Sequence, residues 1–324
     1  MDEKDKKILA ELLINSRIPL IALAKKVGVS REVATYRLQR LVKEGIITHF
    51  HAIINYKSIN FRRYGAFLQL KNISPEKERE FFDYLTKHEF VTYAGPAVGR
   101  WSITFDIIAQ NREHLELIIG DIIDRFSDKL ENHIVMQNAS EQEFYPAKVL
   151  GHSGKSSLGL PFKINSIKLD EEDKKILRLL SENSRSEYKE LAEQLNLSAN
   201  AIKYRIKNLE KLGVIEGYTI SLDIHKLGYE FYNIQIKLSS QDSRNLNSMK
   251  QFLRQSKKVI YFYHYLGNEN WDFDTGVIVK NSLDLRDLIL ELRNTGVQLK
   301  IHDIYSISEV IKPDVAPTGV FDIK

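Results

Sequence analysis

Cysteine is missing from all 324 residues, which removes disulfides, thiolate metal sites and cysteine nucleophiles together. No apolar run reaches the roughly 18 residues that a membrane-spanning helix needs. The chain opens Met-Asp-Glu-Lys without a basic and then apolar leader, so no signal peptide is expected and a cytoplasmic protein is. Nine histidines are scattered without His-x-x-x-His or His-Glu-x-x-His spacing, so no metal or other cofactor is expected. Neither a nucleophile elbow nor a glycine-rich cofactor loop occurs, and the chain reads as a non-enzyme. Basic residues outnumber acidic ones only slightly, 47 to 43. A net +4 spread over the whole surface favours an anionic partner only weakly, so the position of the positive charge decides more than its sum.

What is present is a repeat. Asp2-Glu-Lys-Asp-Lys-Lys-Ile-Leu9 returns as Asp170-Glu-Glu-Asp-Lys-Lys-Ile-Leu177, and the same shift of 168 positions carries Asn15-Ser-Arg17 onto Asn183-Ser-Arg185 and Tyr36-Arg37 onto Tyr204-Arg205. Leu68 and Leu70 fall on Ile236 and Leu238 in the same register, so the repeated unit is about 150 residues rather than one supersecondary element. With 43% apolar residues, each copy can fill a core. A duplicated binding head suits a target that presents two adjacent half-sites.

Each copy begins with three short helices. Asp2 caps the first, and Ile8, Leu9 and Leu12, with Ile176, Leu177 and Leu180 in the twin, recur at helical spacing. A second helix follows Pro19 in copy one and Ser186 in copy two, with inward stripes at Leu23, Ala24, Val27 and Leu191, Ala192, Leu195. Gly28-Val29-Ser30 and Asn196-Leu197-Ser198 then form a tight turn whose serine caps a third helix, running to Gly45 or Gly213. Ala34, Leu38, Leu41 and Ile202, Ile206, Leu209 bury one face of that helix, leaving the other free. Thr48 to Asn55 and Gly217 to Asp223 are β-rich and read as wings.

The rest of each copy alternates strands and helices in the order β-α-β-β-α-β, the split arrangement of ferredoxin-like domains. Strands are expected around Ala66 to Leu70, Val91 to Val98, Trp101 to Ala109 and Ile134 to Gln137, with helices over Pro75 to Lys87 and around Leu115 to Ile122. Their twins lie around Ile234 to Leu238, Val259 to Leu266, Trp271 to Val279 and Ile301 to Ser306, with helices over Leu246 to Gln255 and Leu285 to Leu292. Gly151 to Gly159 is rich in glycine and serine and reads as a linker. Its Gly154-Lys155-Ser156 lacks the P-loop glycine five positions earlier, where Val149 stands. The expected class is α+β: winged helix-turn-helix domains at 1–60 and 169–228, βαββαβ ligand or assembly domains at 61–148 and 229–312, a linker at 149–168 and a tail at 313–324.

This order resembles the leucine-responsive/asparagine-regulator (Lrp/AsnC) family of bacterial and archaeal transcription factors. The residues that carry the resemblance are Asp170-x-x-Asp-x-x-Ile-Leu-x-x-Leu, Asn183-Ser-Arg185, Glu190-Leu-Ala192, Leu197-Ser198, Tyr204-Arg-Ile-x-x-Leu209 and Gly213-Val-Ile-x-Gly-Tyr218. Copy one keeps most of them, with His49-Phe50 in place of Gly217-Tyr218. The resemblance implies a regulator that binds double-stranded DNA and answers to a small molecule such as an amino acid. It also implies that the two βαββαβ domains pack on each other within the chain, imitating the homodimer of single-copy members, with further homo-oligomers left open.

A helix-turn-helix lays its second helix in the major groove, so the candidate DNA contacts follow from the exposed faces. They are Ser30, Arg31, Glu32, Thr35, Tyr36, Arg37, Gln39, Arg40 and Lys43 in copy one, and Ser198, Asn200, Lys203, Tyr204, Arg205, Lys207 and Lys211 in copy two. Arg37 and Arg205 sit at the edge of the buried stripe, where either a phosphate or an acid of the first helix can take them. Tyr36 and Tyr204 can meet phosphate or pack at the rim. Local charge is more positive in copy one, with Lys25, Lys26, Arg31, Arg37, Arg40 and Lys43 against Glu32 and Glu44, so copy two is expected to bind less tightly alone. Arg31-Glu32-Thr35 differs from Ala199-Asn200-Lys203, so an asymmetric operator is expected.

In the family, effectors bind near a glycine-bearing turn before the third strand, which here is Gly99-Arg-Trp-Ser102 and Gly267-Asn-Glu-Asn-Trp-Asp272. The candidates that follow are Gly99, Trp101, Gly267, Asn268 and Asp272, the aspartate accepting an ammonium. The same residues also fit ordinary turn chemistry and buried tryptophans. An enzyme rival shares the architecture: siroheme decarboxylases resemble paired Lrp/AsnC-like subunits. Their Tyr-Asn-Leu-Trp-Phe-like strand is matched poorly by Glu269-Asn-Trp-Asp-Phe273 and Arg100-Trp-Ser-Ile103.

Overall fold

The computed structural model describes residues 1–137, 141–144, 150, 167–265 and 267–322. Both copies open with a three-helix head. In copy one these are α1 (Glu3–Ile14), α2 (Leu20–Val27) and α3 (Arg31–Lys43). Asp2 caps α1 in a capping box with Asp5, Gly28 ends α2 in the left-handed region at φ 74°, and Ser30 Oγ accepts from the Val33 amide to start α3. Pro19 is the N-cap residue of α2 rather than its first helical residue.

Beyond the head lie β1 (Ile47–Ile54), β2 (Arg62–Leu70), α4 (Pro75–Lys87), β3 (Val91–Val98), β4 (Ile103–Ala109), α5 (Arg112–Phe126), β5 (Leu130–Gln137) and β6 (Glu141–Phe144). Copy two repeats the plan with α6 (Glu171–Glu182), α7 (Tyr188–Leu195), α8 (Ala199–Lys211), β7 (Ile215–Leu222), β8 (Glu230–Leu238), α9 (Ser243–Gln255), β9 (Val259–His264), β10 (Phe273–Val279), α10 (Ser282–Arg293) and β11 (Leu299–Ile307). Several starts differ from expectation by two or three residues, as where α10 begins at Ser282 and β4 and β10 begin just after their tryptophans. Glu187, not Ser186, precedes α7, because Glu190 reaches back to the Glu187 amide at 2.8 Å. Asp242 caps α9, which starts at Ser243, three residues ahead of the expected Leu246.

The expected wings are not hairpins. β1 and β7 pair antiparallel with each other across the two copies, with His51 opposite Thr219 and Ala52 opposite Tyr218. His51 and Thr219 are repeat counterparts, so a pseudo-two-fold axis passes through this ribbon. Each strand also completes the head of the other copy. Ile220 lies in the core of α1, α2 and α3, while Ala52 and Ile54 lie in that of α6, α7 and α8. Thr219 Oγ1 donates to the Leu13 carbonyl at 2.9 Å.

The remaining strands form one nine-stranded sheet in the order β5-β2-β4-β3-β11-β8-β10-β9-β6. Each half keeps the ferredoxin-like order, and they join where Ala97 and Val98 of β3 meet Ile307 and Ser306 of β11. Strand alternation then sorts the side chains. Ala66, Leu68, Phe105 and Ile107 face α4 and α5, while Ile234, Ile236, Phe273 and Val277 face α9 and α10. The opposite faces share an aromatic core in which Phe67 lies 5.7 Å from Trp101 and 5.4 Å from Trp271, ring centroid to ring centroid.

The stretch expected as a tail is built into the fold. Asp314 accepts from both Nη atoms of Arg63 at 2.9 and 2.7 Å, and α11 (Gly319–Asp322) buries Val320 and Phe321 in the core of the second head. Gly319 is required there, since a Cβ would lie 2.6 Å from the Phe90 ring. The linker region 151–159, including Gly154-Lys155-Ser156, lies outside the described residues. No described helix is long and apolar enough to cross a membrane.

Candidate nucleic-acid interface

The outer faces of α3 and α8 carry the expected reading positions. Ala34, Leu38, Leu41 and Ile202, Ile206, Leu209 are buried, which turns Arg31, Glu32, Tyr36, Gln39, Lys43 and Asn200, Lys203, Tyr204, Lys207, Lys211 to solvent. Tyr36 is 65% and Tyr204 74% exposed, far more than a packed rim residue shows. Ser198 Oγ accepts from the Ala201 amide at 3.1 Å, as Ser30 does from Val33 at 3.2 Å. Thr35 is half-buried and its hydroxyl donates back to the Arg31 carbonyl at 2.8 Å. The Glu32 carboxyl is held below its ordinary value by its own backbone amide and then by Ser30.

The arginines behave differently. Arg37 Nη1 binds Asp2 at 2.7 Å and Asp5 at 2.8 Å, and Arg205 Nη1 repeats this on Asp170 at 2.7 Å and Asp173 at 2.8 Å. Arg40, expected on the open face, reaches Asp5 at 2.6 Å. Asp5 is buried, and such a carboxylate needs a cation, so these arginines tie the reading helix to the first helix. The Asp5 amide first, and Arg37 second, hold the Asp2 carboxyl down at about 2. These ion pairs change the charge comparison made from the sequence. Among the described residues the unpaired cations of the reading helices are Arg31 and Lys43 on α3, against Lys203, Lys207 and Lys211 on α8.

The two heads are locked across the pseudo-dyad. Ser16 Oγ lies 2.6 Å from Ser184 Oγ, and Arg17 and Arg185 donate reciprocally to the Ser184 and Ser16 carbonyls. The Arg17 guanidinium lies over Tyr188 at 5.2 Å and Tyr218 at 5.3 Å, and Arg185 over Phe50 at 5.8 Å. These contacts join the loop between α1 and α2 to the loop between α6 and α7.

The residues expected around an effector are engaged inside the protein. Trp101 and Trp271 are fully buried in the aromatic core. Asp272 is buried as well, accepting from Lys237 Nζ at 2.9 Å, the Leu238 amide at 2.7 Å and Gln241 Nε2 at 2.6 Å. Lys237 Nζ also takes the Asn268 carbonyl at 2.8 Å, and Gly267 supplies the turn at φ 74°. Gly99 has φ 149°, and a Cβ there would lie 2.8 Å from Tyr305. Turn chemistry and burial account for Gly99, Trp101, Gly267 and Asp272, while Asn268 Nδ2 and Trp271 Nε1 are buried with no hydrogen-bond partner among the described residues.

A cavity of about 1240 Å³ lies elsewhere, between the β1–β7 ribbon and the inner faces of both half-sheets. Sequence reasoning missed its lining, which includes Arg63, Tyr93, Asp106, Tyr261, Asp274 and Asp314. One signal was available: Asp106 and Asp274 each interrupt an otherwise apolar strand, Ile103-Thr-Phe-Asp-Ile-Ile108 and Phe273-Asp-Thr-Gly-Val-Ile278.

A family described as winged helix-turn-helix DNA-binding matches residues 1–48 and 169–216, one stretch in each copy. An uncharacterized HTH-type transcriptional regulator of Pyrococcus furiosus is 38% identical over 114 residues, which is 35% of this chain and 73% of that protein. The HTH-type transcriptional regulator LrpA of Pyrococcus horikoshii is 46% identical over 66 residues, 20% of this chain and 47% of that protein. Among solved structures, the siroheme decarboxylase NirDL in complex with an iron-uroporphyrin III analogue is similar with a TM-score of 0.64 and 14% identity, covering 99% of this chain and 97% of that one. At that identity the likeness extends to the fold alone.

Proposed function

Because the chain belongs to the Lrp/AsnC family of helix-turn-helix transcriptional regulators, we propose that it docks both heads on one stretch of double-stranded DNA and reads an asymmetric operator. The coarser function, a DNA-binding transcription regulator, is that of its relatives. One observation carries the finer reading: two outward reading helices with different side chains belong to heads joined by the Ser16–Ser184 contact and its arginines. Arg31, Glu32 and Lys43 face solvent on one, and Asn200, Lys203, Lys207 and Lys211 on the other. Different donors and acceptors at matching positions discriminate different bases.

Selection of bound sequences from random duplex DNA tests this. The expected product is a bipartite motif with two unlike halves about one helical turn apart. Two identical inverted halves would sink the asymmetric operator, and no enrichment at all would sink DNA reading. The reading includes a small-molecule effector acting on the pair of heads.

A second reading, tetrapyrrole chemistry of the kind named for NirDL, is favoured by the size of the inter-sheet cavity. The lining charge opposes it. Three lysine or arginine side chains line it, and Arg63 is already bound to Asp106 and Asp314, which leaves little positive charge to meet a macrocycle that bears several carboxylates. Titrating the protein with iron-uroporphyrin III and following the absorbance bands separates the two readings.

A further inference from the structure

The floor of the inter-sheet cavity carries carboxyl groups from both halves. Asp106 comes from β4 and Asp274 from β10, each pointing away from the helix-covered face. Asp106 has a cation, Arg63 Nη1 at 3.1 Å. That guanidinium is already committed to Asp314 through both Nη atoms. In copy two the position matching Arg63 is Phe231, and among the described residues no lysine or arginine forms an ion pair with Asp274. Asp274 is 3% exposed, and its Oδ1 has no hydrogen-bond partner among the described residues. A buried acceptor left unmatched is costly, and a ligand that supplies the missing donor recovers that cost.

The surroundings define what kind of donor fits. Tyr93, Tyr261 and Tyr263 line the same end of the cavity, and the Tyr261 ring lies flat over β10 because Gly276 leaves room for it. A Cβ at Gly276 would sit 2.1 Å from that ring. Tyr93 Oη is buried with no hydrogen-bond partner among the described residues, so a second polar atom of the lining is unmatched. Aromatic faces and carboxylates together attract organic cations. A free amino acid fits less well, since its carboxylate would need a cation. Arg63 is taken up by aspartates, Arg62 Nη1 donates to the Phe61 carbonyl at 2.9 Å, and burial lowers the Lys57 pKa, which disfavours its charged form.

We propose that this cavity is the effector site and takes an organic cation, an amine or amidinium on a ring or hydrocarbon body, whose N–H groups donate to Asp274 Oδ1. The proposal deepens the effector part of the reading above and moves it away from the Gly99 and Gly267 turns. Burial first, and the Asp106 charge second, push the Asp274 carboxyl up to about 8, and burial pushes Asp106 up to about 6. A bound cation relieves both carboxyls at once. The opposite wall of the cavity is the ribbon itself, with His51 and Thr219 on the pseudo-dyad between the heads. Occupancy therefore acts on the strands that complete both DNA-binding cores.

Calorimetric titration of the full chain with tyramine, tyrosine and 4-hydroxyphenylacetate compares one ring as cation, zwitterion and anion. Tyramine is expected to bind and the other two are not. Asp274→Asn should weaken tyramine roughly tenfold or more, and Tyr93→Phe, which removes one oxygen and keeps the ring, by a few-fold. The proposal is overturned if 4-hydroxyphenylacetate binds as well as tyramine, or if both variants bind tyramine like the parent. It is equally overturned if tyramine, agmatine and spermidine all fail to bind at millimolar concentration. DNA retention measured on the same samples keeps the two readings apart. DNA binding without amine binding sinks only the cation site, and amine binding without DNA binding sinks only the regulator.

Discussion

Ser16 Oγ and Ser184 Oγ stand 2.6 Å apart although 168 residues separate them, and each is the other's counterpart in the repeat. Residues that meet their own counterpart lie on a symmetry axis, so the duplicated chain builds within itself the self-complementary contact of a two-fold dimer. Arg17 and Arg185 close over this point from either side, each donating to the other copy's backbone. The contact is made of charged donors on buried carbonyls, which contribute more than neutral hydrogen bonds.

Replacing Arg17 with alanine therefore removes a charge-assisted contact and two cation–π neighbours. The expected loss is about 1–2 kcal/mol of unfolding free energy, read from urea denaturation of the full chain. The double variant Arg17→Ala, Arg185→Ala should also loosen the two heads. On an operator whose halves are moved apart by about five base pairs, half a helical turn, the parent should lose most of its affinity and the double variant less. Equal losses would show that these arginines do not set the spacing.

Neither half is expected to fold as a monomer. The head of copy one needs Ile220 from β7, the head of copy two needs Ala52 and Ile54 from β1, and α11 at the far end of the chain fills the second head with Val320 and Phe321. Separate expression of residues 1–150 and 167–324 should give chains that aggregate or self-associate alone and form a one-to-one complex when mixed. Size-exclusion chromatography with light scattering reads the outcome. A well-folded monomer of either half would contradict the exchanged strands.

On DNA, Lys203, Lys207 and Lys211 should act through phosphate, since none of them pairs with an acid among the described residues. Each alanine substitution should weaken binding to all sequences alike and lower the log–log salt slope by about 0.9. Arg37→Ala and Arg205→Ala should instead lower stability, because the first leaves buried Asp5 with Arg40 as its one remaining cation among the described residues and the second removes the cation of Asp173. Filter binding at several salt concentrations, set beside thermal unfolding, tells phosphate contact from scaffold.

Much of the local chemistry was legible in the sequence, although the Glu187–Glu190 capping box and the Asp242 cap, equally local, were not read. The serine caps at Ser30 and Ser198, the apolar stripes of the third helices and the α4 boundaries at Pro75 and Lys87 follow from residues within a turn or two of each other. Even the ambiguity of Arg37 and Arg205 was visible, since both sit at the stripe edge. What could not be read was pairing at a distance. The β1 and β7 strands look like wings because nothing near Thr48 or Gly217 records that the partner strand is in the other copy. Asp272 was open to two readings for a related reason: its partners Lys237 and Gln241 come from the first strand of the unit and the loop after it. The cavity needs strands of both half-sheets and the ribbon before it exists.

The titration of Asp274 gives a last, independent prediction. Its carboxyl is pushed up to about 8 in the folded protein by burial and then by Asp106, against 3.8 for the unperturbed group. Between those values the folded state holds a proton that the unfolded chain has released, so stability falls as pH rises across that window. Asp106, pushed up to about 6, and Glu216, pushed up to about 7, act in the same direction. His51, pushed down to about 4 by burial, acts in the opposite one. Substituting Asp274→Asn removes only its own part. The melting temperature of the parent should therefore drop relative to that of the variant between about pH 5 and pH 8, the variant becoming the more stable protein at the alkaline end. Parallel curves across that range would mean that Asp274 keeps an ordinary acidity and that the cavity floor is wetter than its burial implies. A saturating amine should flatten the parent's curve toward the variant's, because a bound cation restores the ionised form without the cost of burial.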